Sequence, residues 1–310
     1  MVTPGDTGFP GWSRGKEQNL RVRVDNGCTA LRRVLEETEK ALSSHHLLAR
    51  KRRGQYFLVD RVVREKIIAA AELSSQDVVV EVGAGTGTLT ESLAQTAGRV
   101  LAIEQDKKLC RILSRNMSSY PQVEVVAADI LTVDLTRLLG DGEYKVVGNL
   151  PYYIASPILR LFLKSERPPQ MMVVMVQKEV ANAIVERRTP LSLEIELYAK
   201  ACIVGYVGRK DFLPPPKVES AILRLDLLAS PKVPLLERED FLAKVRASFF
   251  APRKQIKNSL SYGLGLSAKE AQEILHRANI SPHLRPSELA LEDWLRLYYT
   301  LKYADGKGLR

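Results

Sequence analysis

The sequence predicts an α/β fold of the Rossmann-like type, with a seven-stranded sheet, a closing antiparallel hairpin and a small all-helical domain at the carboxyl end. Three observations support this prediction. Short β-branched runs alternate with helical patterns as far as about residue 187, as in βαβ units. A glycine-rich turn follows an early strand. Beyond about residue 238 the chain shows helical patterns only.

Length and composition indicate a soluble protein of two domains. The chain has 310 residues, of which 45% are apolar and 26% charged. We expect an N-terminal extension (1–46, flexible or partly helical), a Rossmann-like domain (47–232) and a helical domain (233–310). The longest apolar run, Met171 to Val176, is too short to span a membrane, and the first residues lack the layout of a secretory signal. We therefore expect a cytoplasmic protein without membrane contact.

The charge balance points to a polyanionic partner. The formal net charge is +10 and the pI is near 9.5, and nucleic acid is a commoner partner than membrane for such a chain. Excess charge also supports solubility, so the net charge by itself does not establish that the protein binds a polyanion. The cysteines (Cys28, Cys110 and Cys202) are scattered and the four histidines lack ligand spacing, so we predict no disulfide and no metal site.

A basic run and a helix start precede the first strand of the sheet. Arg50, Lys51, Arg52 and Arg53 lead into the segment GQYFLVD, which ends at Asp60. Asp60 is a good N-cap for a helix from Arg61 to about Glu72. A basic run is usually a solvated face, but one beside a Gly-Gln-aromatic segment is also placed to contact RNA.

The glycine-rich turn follows the strand Val78 to Val80 and has the form EVGAGTG. A dinucleotide fingerprint needs its third glycine three residues after the second, but Thr88 stands there and the glycine falls at Gly87. The E-x-G-x-G-x-G spacing resembles the S-adenosylmethionine loop of class I methyltransferases. The alternative is an accidental glycine-rich turn.

Two acidic side chains follow the next strands at their carboxyl ends. The strand Arg99 to Ile103 is followed by Glu104, which is placed to accept hydrogen bonds from ribose hydroxyls. The strand Val123 to Ala127 is followed by Asp129, which can accept from an exocyclic adenine amine while Ile130 packs nearby.

A fourth strand, Tyr144 to Gly148, delivers the segment Asn149, Leu150, Pro151 and Tyr152 to the same edge. This segment suits the methylation of an aromatic amine. The N6 lone pair of adenine is delocalised into the ring, and the Asn149 side chain and Leu150 carbonyl could hold its hydrogens. Pro151 stiffens the turn, and the Tyr152 ring can stack on the base. The alternative is an ordinary strand-ending turn.

The rest of the first domain is predicted to close the sheet. A helix (Ser156 to Lys164), a strand (Met171 to Val176) and a helix (Lys178 to Arg187) come first. Two long strands, Leu191 to Val204 and Val218 to Leu225, then form the hairpin, with no helix between them. Three consecutive prolines stiffen the connector, and we expect it to hold Phe212 against the other face of the base.

The helical domain carries a second basic segment. Residues 244–258 contain five basic side chains and no acidic one, with Phe249 and Phe250 among them. We expect Arg253, Lys254 and Lys257 to contact RNA phosphates together with the basic run at 50–53.

From about Leu47 to Tyr303 the chain resembles the KsgA/RsmA family of ribosomal RNA adenine N6,N6-dimethyltransferases. The motifs that carry the resemblance are GQYFLVD, EVGAGTG, IEQD, AAD, GNLPYYIASPIL, FLPPPKVES and SFFAPRKQIKNSL, in the family's order. The resemblance implies S-adenosylmethionine-dependent methylation of two adjacent adenines in a hairpin loop near the 3′ end of small-subunit ribosomal RNA. It also implies action during subunit assembly, and we expect a monomer.

The expected site residues follow from the motifs and the resemblance. The cofactor-binding set is Tyr56, Leu58, Gly83, Gly85, Glu104, Asp129, Ile130 and Asn149. The catalytic set is Asn149, Leu150, Pro151, Tyr152 and Phe212. One position departs from the family, which usually has Asn or His where this chain has Tyr56; that side chain normally serves the methionine end of the cofactor.

Three other functions compete with this interpretation. An Erm-type methylase of large-subunit RNA shares the fold and motifs, but the helical tail and the NLPYYIASPIL segment favour the small-subunit enzyme. A non-catalytic RNA-binding assembly factor would have no use for the acidic residues that face the cofactor. A nicotinamide dehydrogenase is disfavoured by the glycine spacing.

Overall fold

The structure is a computed structural model that describes residues 55–304, so the extension 1–46 and the basic run at 50–53 lie outside the described residues. The strands are β1 Phe57–Leu58, β2 Val78–Val82, β3 Arg99–Glu104, β4 Val123–Ala127, β5 Lys145–Asn149, β6 Met171–Gln177, β7 Ala199–Val207, β8 Phe212–Leu213 and β9 Ser220–Leu227. The helices before the last third are α1 Arg61–Ala71, α2 Thr88–Ala94, α3 Lys107–Asn116, α4 Leu135–Leu139, α5 Ala155–Leu163, α6 Lys178–Val185 and α7 Pro190–Tyr198. The helices in the last third of the chain are α8 Leu235–Ser248, α9 Ile256–Leu264, α10 Ala268–Arg277 and α11 Leu291–Ala304.

The main sheet has seven strands in the order β4-β3-β2-β5-β6-β9-β7. Strands β2 to β6 are parallel to one another, and β9 lies antiparallel between β6 and β7. This confirms the predicted sheet and its closing antiparallel hairpin. The chain leaves β2 toward β4 on one side and returns through β5 on the other, so the strand order reverses between β2 and β5, where open α/β sheets bind ligands.

Strands β2 and β5 leave no room for a side chain at Gly148. Val82 is opposite Gly148 in the register, and a Cβ added at Gly148 would lie 2.6 Å from the backbone oxygen of Val82. Only glycine fits there without a backbone shift. The close approach brings the ends of the two strands together at the point where the glycine-rich turn and Asn149 begin.

One predicted element is wrong: residues 191–198 form a helix instead of the first half of a long strand. Helix α7 begins with a capping box, in which Thr189 and Ser192 exchange side-chain and backbone hydrogen bonds, followed by Pro190 at the first helical position. Leucines and isoleucine at every second position suggested a strand. The helix is buried on most of its faces, so its apolar residues show no 3.6-residue period.

From Leu235 onward the described chain contains helices and no strand, as predicted. These helices pack on the sheet domain through one continuous apolar cluster that includes Leu197, Phe241 and Trp294. Lys164, directly after α5, bridges the buried carboxylate of Glu194 (3.1 Å) on the sheet domain and Glu239 of α8 (2.6 Å). The boundary at residue 232 stays a prediction.

Candidate functional site

The carboxyl ends of β2, β3, β4 and β5 surround a cavity of about 410 Å³. Its walls include the glycine-rich turn and the polar side chains that follow the other strands. The predicted residues that line it are Tyr56, Leu58, Gly83, Gly85, Glu104, Asp129, Ile130, Asn149, Leu150, Pro151 and Tyr152. The structure therefore brings together all the predicted cofactor-binding residues and all but one of the predicted catalytic residues, which is Phe212.

The glycine-rich turn needs its glycines for conformation and for space. Gly83 and Gly85 have φ of 75° and 60°, in the left-handed region that favours glycine. A Cβ added at Gly85 would lie 3.0 Å from the ring of Phe57. The turn is thus pressed against the β1 segment and leaves bare backbone at the cavity wall.

The Glu104 carboxylate is buried at the end of β3 and held by backbone amides. The N–H of Gly85 donates to Oε2 at 2.9 Å, and the N–H of Asp106 donates to Oε1 at 2.8 Å. Each carboxylate oxygen can accept more than one hydrogen bond. The side chain is therefore fixed in place while retaining acceptor capacity toward hydroxyl groups in the cavity.

Asp129 is oriented by two donors. Its Oδ1 accepts from the N–H of Leu131 and its Oδ2 from Nε2 of Gln105, both at 3.0 Å. Gln105 also lines the cavity, and it is a candidate site residue that was not predicted from the sequence. It lies in the motif IEQD directly after Glu104, and that position was the available signal.

A second missed residue is Glu81, the acidic residue of the glycine motif. It is fully buried, lines the cavity, and accepts a 2.5 Å hydrogen bond from Thr90 Oγ1. Burial, together with the nearby Glu104 charge, raises the pKa of Glu81 to about 8. The carboxyl group is therefore largely protonated at neutral pH.

Asn149 has its amide oriented by a backbone group. Its Nδ2 donates to the carbonyl oxygen of Tyr56 at 2.6 Å. A carbonyl oxygen can accept a hydrogen bond only from the NH₂ group of an amide, so this bond assigns the Nδ2 and Oδ1 positions of Asn149. The group that Asn149 offers to a ligand in the cavity is consequently Oδ1, an acceptor.

Tyr152 is held in place through both its hydroxyl group and its ring. A 2.6 Å hydrogen bond joins its hydroxyl to Ser220 Oγ, and its ring lies 5.5 Å from that of Tyr56 at an interplanar angle of 32°. Burial raises the pKa of Tyr152, so the hydroxyl stays protonated. Pro151 leads into a short 3₁₀ turn, Tyr152–Ile154, that carries the segment away from β5.

The structure places Phe212 outside the cavity wall, so its contact with the base stays a prediction. This residue does not line the cavity; its side chain is only 2% exposed and packs in an apolar cluster with Leu58, Val63 and Ile67. The reason is that β8 pairs antiparallel with β1, with Phe212 opposite Leu58. In this structure Phe212 packs behind Leu58, which lines the cavity.

The three predicted basic residues that the structure describes form one group, which we call the basic cluster: Arg253, Lys254 and Lys257. It lies between α8 and α9 and on the first turn of α9. Within residues 55–304 none of the three forms an ion pair. The same range contains no group of His, Cys, Asp and Glu that could hold a metal ion, and no helix long and apolar enough to cross a membrane.

Comparison with known proteins gives a consistent result. Residues 46–302 match the family model for ribosomal RNA adenine dimethylase. Ribosomal RNA small subunit methyltransferase A of Dehalococcoides mccartyi strain 195 is 39% identical over 273 residues, covering 86% of this chain and 94% of that protein. The protein of the same description from Moorella thermoacetica is 40% identical over 271 residues, covering 83% and 94%.

Two solved structures have the same fold. The 23S rRNA methyltransferase ErmE superposes with a TM-score of 0.66 at 30% identity, covering 79% of this chain and 99% of that one. A dimethyladenosine transferase from Plasmodium falciparum superposes with a TM-score of 0.70 at 24% identity, covering 81% and 98%.

Proposed function

Because the chain belongs to the ribosomal RNA adenine dimethylase family, we propose that it transfers methyl groups from S-adenosylmethionine to the N6 atoms of two adjacent adenines. The target is the hairpin loop near the 3′ end of small-subunit ribosomal RNA, and each adenine receives two methyl groups. The protein acts as a cytoplasmic monomer on the assembling small subunit. The observation that carries the proposal is the orientation of the Asn149 amide.

The cavity offers hydrogen-bond acceptors that suit the ribose and adenine of S-adenosylmethionine. Glu104 provides carboxylate oxygens for ribose hydroxyls, and Asp129 provides an acceptor for the exocyclic amine of the cofactor's adenine. The glycine-rich turn lets backbone approach the ligand. When bound, S-adenosylmethionine supplies an electrophilic methyl group.

The task of the protein is to make the N6 amine of the target base nucleophilic. Asn149 Oδ1 accepts an N6 hydrogen and so favours a more tetrahedral nitrogen, whose lone pair is less delocalised into the ring. The amine becomes acidic only as the new bond forms, and its extra proton can leave to water. No ionised base is therefore needed, which suits a site whose key side chain is a neutral amide.

The aromatic and basic residues position the substrate. The Tyr152 ring, anchored through Ser220, is a surface on which the flipped adenine can stack. The basic cluster contacts phosphates and fixes the RNA without selecting a base. These contacts place the N6 amine beside Asn149.

The test is transfer of a labelled methyl group to purified small ribosomal subunits that lack this modification, with the modified nucleosides identified by mass spectrometry. We expect N6,N6-dimethyladenosine at two adjacent positions. Large subunits serve as the control, because the similarity to ErmE makes large-subunit RNA the competing substrate. Label in large subunits alone would replace the proposal with an Erm-type activity, and RNA binding with no transfer would indicate an assembly factor.

A further inference from the structure

We propose that Phe250 and Tyr262 form a stacking surface for unpaired bases of ribosomal RNA, on the helical part of the molecule and separate from the methyl-transfer cavity. This inference rests on the proposed function for the identity of the RNA. Neither residue belongs to the cavity wall or to the basic cluster.

Both rings face solvent without serving the core. The side chain of Phe250 is 81% exposed and that of Tyr262 is 67% exposed. Phe249, the neighbour of Phe250, shows the contrast, because its ring stacks on the buried Trp294 at 5.6 Å and 28°. Packing at the end of α8 thus uses one of the two consecutive phenylalanines and leaves the other in water.

The backbone segments that carry the two rings are in contact with each other. The backbone oxygen of Ala247 accepts a hydrogen bond from the N–H of Phe250 at 3.1 Å. The same oxygen would lie 2.1 Å from a Cβ added at Gly263, so α8 and α9 touch there. Gly263 follows Tyr262 directly, and both exposed rings therefore extend from backbone that meets at this crossing.

The stretch of chain that carries the two rings is basic. Residues 241–269 contain six lysines and arginines and no acidic residue. Lys244, Arg246 and Lys269 are paired with Asp240, Glu239 and Glu273 outside this stretch. The basic cluster holds the remaining three positive charges, which form no ion pair within residues 55–304.

The positive charges of the basic cluster and the exposed aromatic rings suit the two parts of single-stranded RNA, which are its phosphates and its bases. Cations attract the phosphates, and an aromatic ring offers a face to any base. Ala251, one residue after Phe250, is held by a hydrogen bond from Ser259 Oγ to its carbonyl (2.9 Å). This bond ties the loop that carries the ring to α9 and limits the conformational entropy lost on binding.

The experiment measures binding of a short single-stranded oligoadenylate and of unmethylated small subunits, each over a range of salt concentrations. Phe250→Ala should weaken binding by about fivefold or more, with a smaller or equal loss for Tyr262→Ala. The salt slope should stay that of the wild type, because no phosphate contact is removed. Leu236→Ala is the matched control, since Leu236 is 96% exposed but lies beside Glu237, Glu239 and Asp240, and it should bind like the wild type.

Two further variants separate stacking from simple hydrophobic contact. Phe250→Trp should keep wild-type affinity, and the indole emission should be quenched when the oligoadenylate binds. Phe250→Leu keeps an apolar side chain without an aromatic face and should bind as weakly as Phe250→Ala. Full affinity in Phe250→Leu, or unchanged binding in Phe250→Ala, would overturn the inference.

The outcome is distinguishable from a failure of the proposed function. If the wild type dimethylates small subunits but Phe250→Ala binds normally, the stacking surface is wrong and the function stands. If the wild type transfers no methyl group but Phe250→Ala loses RNA affinity, the stacking surface stands and the function is wrong.

Discussion

Replacing Asn149 by alanine should separate catalysis from folding. Among the described residues the Asn149 side chain makes one hydrogen bond, to the Tyr56 carbonyl, and in our proposal it makes another to the reacting amine. Loss of the first should cost about 1 kcal/mol of stability, since a carbonyl at a cavity wall can bond to water instead. Loss of the second should lower turnover by about 10²–10³, the range for one donor or acceptor used in the transition state.

Two further variants test whether Asn149 acts as a neutral acceptor that the Tyr56 carbonyl orients. Asn149→Asp keeps acceptor oxygens, but it cannot donate to the Tyr56 carbonyl and it adds a charge that strengthens ground-state binding of a cationic cofactor. We expect it to be impaired as well. Tyr56→Asn restores the family's residue and keeps the backbone carbonyl that orients Asn149. It should therefore retain turnover within a few-fold of the wild type.

The assay is single-turnover transfer to small subunits, with methyl groups counted per adenine by mass spectrometry and cofactor affinity measured by calorimetry. Asn149→Ala should lose rate while its affinities for cofactor and RNA change little. A wild-type rate in this variant would show that Asn149 is only a structural residue. A rate loss matched by an equal loss of cofactor affinity would place its role in binding.

Four further predictions concern other parts of the molecule. Glu104→Ala should weaken S-adenosylmethionine binding about tenfold or more in calorimetry, because charge-assisted hydrogen bonds to the ribose are lost. The pKa of Glu81 is raised to about 8, so the folded protein keeps a proton that the unfolded chain has lost. Unfolding free energy should fall between pH 4.5 and pH 8, by at most about 1.4 kcal/mol per pH unit, and Glu81→Gln should flatten this decline in urea titrations. Gly148→Ala should cost about 1–3 kcal/mol in the same titrations, because its Cβ meets the Val82 backbone at 2.6 Å. Neutralising the basic cluster should weaken subunit binding and reduce its salt dependence, measured by filter binding, while cofactor affinity is unchanged.

Each of these has an outcome that contradicts it. Unchanged calorimetric affinity in Glu104→Ala would reject its assignment to the ribose. An equal pH slope in Glu81→Gln would mean that other groups dominate the titration. Gly205→Ala is the control for Gly148→Ala, since nothing lies within 4 Å of a Cβ at that position; equal losses would rule out the clash. An unaltered salt slope would make the basic cluster an ordinary solvated surface.

Much of the cavity could be predicted because parallel strands end at one edge. Glu104, Asp129 and Asn149 each follow a β-branched run, and the fold places all three at the same cavity. The helix α7 could not be predicted from periodicity, because a helix buried on most faces has no polar stripe. The Thr189-Pro190 pair is typical of a helix start, but the alternating leucines favoured a strand and the prediction followed them.

Two further contacts at the site have no local signature in the sequence. The orienting bond from Asn149 goes to a backbone carbonyl, and every residue has one, so the identity of Tyr56 gave no hint of it. Phe212 was placed against the base because its connector reaches the right edge of the sheet. Two-residue strands are too short to show periodicity, so its pairing with Leu58, which turns the ring into the core, was invisible.

The pairing of β1 with β8 also determines when the cavity can be completed during synthesis. Two paired residues of these strands, Phe57 and Leu213, lie 156 positions apart in the chain. The Phe57 ring rests against the glycine-rich turn. The wall at that turn can form only after six strands of the main sheet and helix α7 have been made. Closing so long a loop is slow, so a nascent chain carries the cofactor motif well before it can bind a ligand tightly. Full affinity for the cofactor is therefore a property that this protein acquires late in folding.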